Sequence, residues 1–304
     1  MKKLEGLIAA TYTPFDEKGH VNLNIIPFYA QYLKNMGVRG VFVNGTTGEG
    51  PSLTLEERME VAAAWTSEHD DHFHVLVHVG HNSLPSAQRL VKHASEVGAD
   101  GIGCMAPTFF KPHDILSLTS CNAELASVAP HLPYYYYHIP SMTGINLSMI
   151  DFLHSAEERI PNLAGIKFTY EDLMDLQLCL EYGNRKYDIL FGRDEILLAG
   201  LSLGASGAVG STYNYLAPLF IKLISAFHQG ELELAKRLQF EAVQIIEVLI
   251  RFGGGVQGGK AIMQTIGLDL GGPRLPLLGL PSFEVEKLVK ELESTHFEEH
   301  TVKI

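Results

Sequence analysis

Eight short apolar, β-branched runs, each followed by an amphipathic stretch of helical period, predict an α/β fold: a (β/α)8 TIM-type barrel with additional C-terminal helices. Strands separated by helices must pair in parallel through right-handed crossovers, and eight such units close on themselves. An open doubly wound sheet is the alternative, but no Gly-x-Gly-x-x-Gly turn follows the first run to recommend it. A chain of 304 residues is long enough for one such core, and no break in composition divides it.

Taken in order, the strand-like runs fall at residues 6–13, 40–45, 73–80, 98–107, 133–140, 164–169, 187–193 and 204–211. The helix-like stretches after them fall at 22–36, 53–68, 83–98, 114–129, 146–158, 171–183, 194–203 and 213–230. Residues 1–228 thus read as the barrel. Residues 229–304 read as a helical extension packed on it as part of one structural unit, with an amphipathic stretch at 231–252 and a charged closing helix at 282–295.

Composition narrows the function. With 46% hydrophobic and 19% charged residues the chain is that of an ordinary soluble enzyme rather than a disordered one. A formal charge of −12, from 23 Lys+Arg against 35 Asp+Glu, supplies no basic footprint for nucleic acid. Cys104, Cys121 and Cys179 are odd in number and lack CxxC spacing, so a disulfide framework and a thiolate zinc site are not indicated and a reducing compartment is expected. The N-terminal apolar run is short and ends at Pro14 and Asp16 without a cleavage signal, and no stretch is long enough to span a membrane. The expectation is a cytoplasmic protein acting on a small molecule.

One residue breaks the apolar pattern. Lys167 lies in the run 163–169, where alternation puts it with Gly165 and Thr169 on one face and Ile166 and Phe168 on the other. Burial penalises an ammonium and favours the free amine, which condenses with a ketone to a Schiff base; the iminium then draws electrons from a breaking carbon–carbon bond. The bland alternative is a lysine at a strand end whose head reaches water.

In a barrel the reactive groups stand at the C-terminal ends of strands, and five ends here are polar: 44–50, 137–140, 167–169, 192–195 and 210–213. The turn Gly45–Gly50 offers the hydroxyls of Thr46 and Thr47 and several backbone N–H groups, a cradle for a carboxylate or a plain helix-capping turn. Tyr137 ends a run of four tyrosines in which Tyr135 and Tyr137 share one face and Tyr134 and Tyr136 the other; a tyrosine stripe is usually packing.

Together, Gly45-Thr46-Thr47-Gly48-Glu49, Tyr137-His138-Ile139-Pro140, Gly165-Ile166-Lys167-Phe168-Thr169, Gly192-Arg193-Asp194-Glu195 and Gly210-Ser211-Thr212-Tyr213-Asn214 resemble the class I pyruvate aldolase family of dihydrodipicolinate synthase and N-acetylneuraminate lyase. The resemblance runs over essentially the whole chain and is stronger toward the sialic-acid-cleaving branch. It implies reversible cleavage of N-acetylneuraminate to N-acetylmannosamine and pyruvate without metal or organic cofactor, in a homotetramer. Lys167 would form the Schiff base, Tyr137 would move protons, Thr47 would assist it, and Thr46 and Thr47 would hold the keto-acid carboxylate. Thr169, Asp194, Glu195, Ser211 and the backbone of Gly192 would meet the sugar hydroxyls.

Two departures qualify the resemblance. Ser141, Met142 and Thr143 follow Pro140 where the synthase carries a carboxylate-binding arginine, which removes that enzyme's substrate anchor. Phe109 and Phe110 stand where many members carry a relay tyrosine, leaving a substrate carboxylate or Thr47 as the partner of Tyr137. A 2-keto-3-deoxygluconate-type aldolase remains the alternative, and Arg193 could turn preference toward an extra anionic tail.

Rival motifs are weaker. His69, His72, His74, His78 and His81 suggest a metal site only loosely, because most fall in a surface turn and read as solvated or capping. Gly254 to Lys260 imitates a phosphate loop, yet Ala261 replaces its magnesium ligand; in the resemblance Lys260 begins an outer helix. A barrel kept only for ligand binding would have to have lost Lys167.

Overall fold

The computed structural model describes residues 3–304. Its strands are β1 (Gly6–Ala10), β2 (Gly40–Val43), β3 (His74–His78), β4 (Gly101–Cys104), β5 (Tyr134–His138), β6 (Leu163–Phe168), β7 (Asp188–Phe191) and β8 (Gly207–Gly210). All pair in parallel with their sequence neighbours, and β8 returns to β1, so the predicted barrel closes.

Side chains alternate as a period of two requires. Ile8, Ala10, Phe42, Leu76, Tyr135, Tyr137, Leu190 and Val209 fill the inside. Their neighbours Leu7, Ala9, Val41, Val43, Val75, Val77, Tyr134, Tyr136, Ile166 and Phe168 belong to the larger core under the helices. Gly165 of β6 is required by a close approach: a Cβ there would lie 1.7 Å from the carbonyl oxygen of Asp188 on β7.

The helices are α1 (Ile26–Asn35), α2 (Leu55–Thr66), α3 (Leu84–Glu96), α4 (Ile115–Ala126), α5 (Pro140–Thr143), α6 (Met149–Ala156), α7 (Leu173–Arg185), α8 (Leu197–Ser202), α9 (Tyr213–His228), α10 (Leu232–Arg251), α11 (Gly254–Thr265), α12 (Ser282–Leu292) and α13 (Phe297–His300). Their starts are set locally. Thr54 caps α2 by a reciprocal box with Glu57, and Asp114 caps α4 in the same way with Ser117.

Three boundaries differ from expectation. The stretch 194–203 opens as a 3-10 turn (Asp194–Ile196) before α8. The end of the tyrosine strand runs directly into the one-turn helix α5. Lys260 does not begin α11 but lies in its middle, because packing buries Gly258 to Met263 and overrides the weak helix propensity of four glycines.

Candidate active site

Lys167 sits in β6 between Tyr137 of β5 and Leu190 of β7 and is 4% exposed. Its Nζ lies 3.8 Å from the centre of the Tyr137 ring and 4.3 Å from that of Phe42, so two aromatic faces wall the amine off from water. Phe42 fits because β4 carries Gly103; a Cβ there would stand 2.5 Å from the Phe42 ring. Of the two readings of Lys167, the buried amine inside the barrel is the one found.

The turn after β2 lies beside this amine. Its N–H groups at Glu49 and Gly50 close back onto the carbonyls of Thr46 (3.1 Å) and Gly45 (3.0 Å). Among the described residues, nothing accepts a hydrogen bond from the backbone N–H of Thr46, Thr47 or Gly48. Asn44 and Glu49 bracket the turn in the left-handed region, φ 60° and 53°. Three open donors between two such residues make a concavity for an anion. The Thr46 hydroxyl is 3.4 Å from the Tyr137 hydroxyl. The side chain near Tyr137 is therefore Thr46, whereas Thr47 was the expected assistant.

Beneath the turn lies a buried cation that no motif in the sequence marks. Arg58 of α2 is 2% exposed and donates to the carbonyls of His78 (2.6 Å) and Gly80 (2.9 Å). Burial pushes its pKa down to about 10, so it remains a cation at neutral pH. His78 is not the solvated or capping histidine expected. It is buried at the end of β3, with Nδ1 3.1 Å from the Asn44 carbonyl and Nε2 3.4 Å from the Met105 N–H. Burial first, then the charges of Arg58 and Lys167, hold it well below the ordinary imidazole range, so it is neutral. His69 and His74 instead face Asp100 near the opposite end of the barrel, and His81 accepts the N–H of Ser83.

The rim comes from β6, β7 and β8. Asp194 is 6% exposed, and its Oδ2 accepts both the N–H (3.0 Å) and the hydroxyl (2.6 Å) of Thr212. Burial raises its pKa to about 6 against the pull of those bonds. Thr169 Oγ1 is buried without a partner, while Glu195 and Ser211 are half-buried. The N–H of Gly192 is committed to the Phe168 carbonyl (2.8 Å), which leaves only its carbonyl for a ligand. Arg193 is already met by Glu171 and, through Nε at 3.2 Å, by Glu195; an extra anionic substituent would have to displace one of them. Phe109 and Phe110 are 77% and 85% exposed and pack edge to face, while Met142 of α5 is exposed.

Residues 3–295 match the dihydrodipicolinate synthetase family. The chain belongs to that family. Within the dihydrodipicolinate synthetase family it is 46% identical to N-acetylneuraminate lyase of Rattus norvegicus, over 91% of this chain and 88% of that protein. The N-acetylneuraminate lyase structure from Aliivibrio salmonicida superposes with a TM-score of 0.95 at 40% identity, covering 99% of this chain and all of the other. A dihydrodipicolinate synthase from Bacillus anthracis shares the fold at 28% identity, with a TM-score of 0.90 over 97% of this chain and 99% of that one.

Proposed function

We propose that the protein is a Schiff-base aldolase that reversibly cleaves N-acetylneuraminate into N-acetylmannosamine and pyruvate. The observation that carries the reading is the Lys167 amine, buried between two aromatic rings beside a turn with three open N–H groups. The named relatives support the sugar, because N-acetylneuraminate lyases match at 40–46% identity over nearly the whole chain. Ser141, Met142 and Thr143 in place of a cationic anchor weigh against the synthase reaction.

In this reading the open-chain sugar acid places its carboxylate on the N–H groups and hydroxyls of Thr46 and Thr47. Lys167 Nζ adds to the keto carbon, and loss of water gives the iminium. Having given its own proton to the water lost in forming the iminium, the Tyr137 oxygen takes the proton of the C4 hydroxyl as the C3–C4 bond breaks; the electron pair moves into the iminium as an enamine, and the sugar leaves as an aldehyde. Protonation of the former C3 and hydrolysis of the imine release pyruvate and restore the amine. The iminium is the electron sink, so the cycle calls on neither metal nor organic cofactor.

Thr169, with its buried hydroxyl unpartnered, and Asp194, Glu195, Ser211 and the Gly192 carbonyl are assigned to the polyol chain. Acceptors placed this way discriminate against sugars lacking the matching hydroxyl, because an unmatched buried polar group is costly. The proposal includes a homotetramer in the cytoplasm, supported by the family resemblance; among the described residues no helix is long and apolar enough to cross a membrane. The test is borohydride reduction in the presence of pyruvate, followed by peptide mass analysis and a pyruvate-release assay on a panel of 2-keto sugar acids. A pyruvyl adduct on Lys167 and preference for N-acetylneuraminate are expected; no adduct at Lys167 overturns the reading.

A further inference from the structure

The outer helix α11 reaches the mouth through a charge that plays no part in the reaction. Lys260 and Glu49 form an ion pair of 2.9 Å in which both side chains are 2% exposed. Glu49 Oε2 also accepts the backbone N–H of Arg274 at 2.7 Å. The Arg274 guanidinium grips Glu57 at the start of α2 with two nitrogens and donates to the Gly19 carbonyl. Lys260 Nζ and the Arg274 guanidinium lie 4.1 Å and 4.5 Å from the centre of the same Phe15 ring.

A buried ion pair of this kind is weak evidence of a role in stability, since two apolar side chains of similar volume often serve as well. Its place in the fold suggests another role. Glu49 is, after Asn44, the second left-handed residue of the turn after β2, a conformation uncommon for a glutamate. Two residues before it stands Thr47, and the open N–H groups of Thr46, Thr47 and Gly48 lie between Asn44 and this bend.

We propose that the Glu49–Lys260 pair, seconded by Arg274, is a positioning device for the carboxylate-binding turn. It holds Glu49 left-handed and so aims the N–H groups of Thr46 and Thr47, and it neutralises a carboxylate that would otherwise repel the substrate anion. The inference rests on the aldolase reading above. It makes Lys260 and Glu49 positioning residues: neither touches the keto acid.

The pair is tested by steady-state kinetics of pyruvate condensation with N-acetylmannosamine, using the wild-type chain, Lys260→Met and the double variant Glu49→Gln/Lys260→Met. Lys260→Met is expected to raise KM for pyruvate about tenfold, the worth of one hydrogen bond to a carboxylate, with a much smaller change in kcat. The double variant carries no unpaired buried charge, so it folds even where the single variant does not, and it is expected to keep a raised KM because the Lys260 arm of the anchor is gone. A folded double variant with wild-type KM overturns the inference, as does a fall in active-enzyme titre with KM unchanged, the mark of a merely structural pair. Borohydride trapping on the wild-type chain separates the two claims: an adduct on Lys167 with an unchanged KM in the double variant sinks only the positioning role, whereas no adduct sinks the aldolase reading and this one with it.

Discussion

The strand β7 carries a buried aspartate at each end, and the two differ in what surrounds them. Asp188, at its start, accepts the N–H of Leu4 and the hydroxyl of Tyr135 on Oδ2, both at 3.0 Å. Asp194, just past its end, accepts the N–H and hydroxyl of Thr212. Burial lifts both to about 6. At the lower end the carboxylate closes the barrel floor onto the N-terminal segment. At the upper end it stands with the orphaned Thr169 hydroxyl and the open N–H groups of the turn after β2. One fold thus spends the same chemical group on stability at one end and on a receptive surface at the other.

Variants at the two ends should therefore separate activity from stability. The largest effect is expected for Lys167→Ala at the mouth: kcat in the pyruvate-release assay should fall by on the order of 10⁴-fold or more, with the thermal midpoint nearly unchanged. Next comes Gly165→Ala at the lower end, where the added carbon must push β6 off the Asp188 carbonyl. A loss on the order of 3 kcal/mol is expected by urea denaturation, with KM unchanged in the protein that folds.

The pH dependence sharpens the contrast. A carboxyl whose folded pKa of about 6 lies above its ordinary value of 3.8 contributes stability that is present in full below 3.8 and lost as pH rises through 6. Asp188→Asn removes that slope. Relative to the variant, the wild-type chain should thus be more stable at pH 4.5 than at pH 7.5 by on the order of 2 kcal/mol, read from paired denaturation curves. Glu57 works in the opposite sense: Arg274 holds it at about 2, so its contribution is present above its ordinary 4.5 and is lost as pH falls from there through 2, below this window. The smallest effect belongs to neither end. Lys92→Ala breaks an exposed helix pair with Glu96 and should change stability by less than about 0.5 kcal/mol in the same assay.

The sequence made the barrel legible because its two periods are local properties: alternation marked β5 and β6, and amphipathic spacing marked α3 and α10. The strand ends were legible for a related reason, since a parallel barrel gathers them at one mouth whatever the register. Pairings between elements were not. Nothing local in residues 254–260 says that Lys260 is buried against a glutamate from the second strand end, and four glycines argue against the helix that carries it there. His78 was grouped with histidines near it in sequence, but it parts from them because β3 carries it to the far end of the barrel. The Asn44 at the end of β2, a residue type tolerant of positive φ, was the one available hint that a sharp turn with open donors follows.

The tie between Glu49 and Lys260 also bears on how far this chain can be trimmed. A version ended at residue 228 would keep all eight strands, Lys167 and Tyr137, yet would strip Glu49 of both its partners, Lys260 and the Arg274 N–H, and leave an unpaired carboxylate in the turn proposed to receive an anion. Attempts to engineer a minimal catalyst from this scaffold would therefore need to rebuild residue 49 and its surroundings, rather than simply delete the tail.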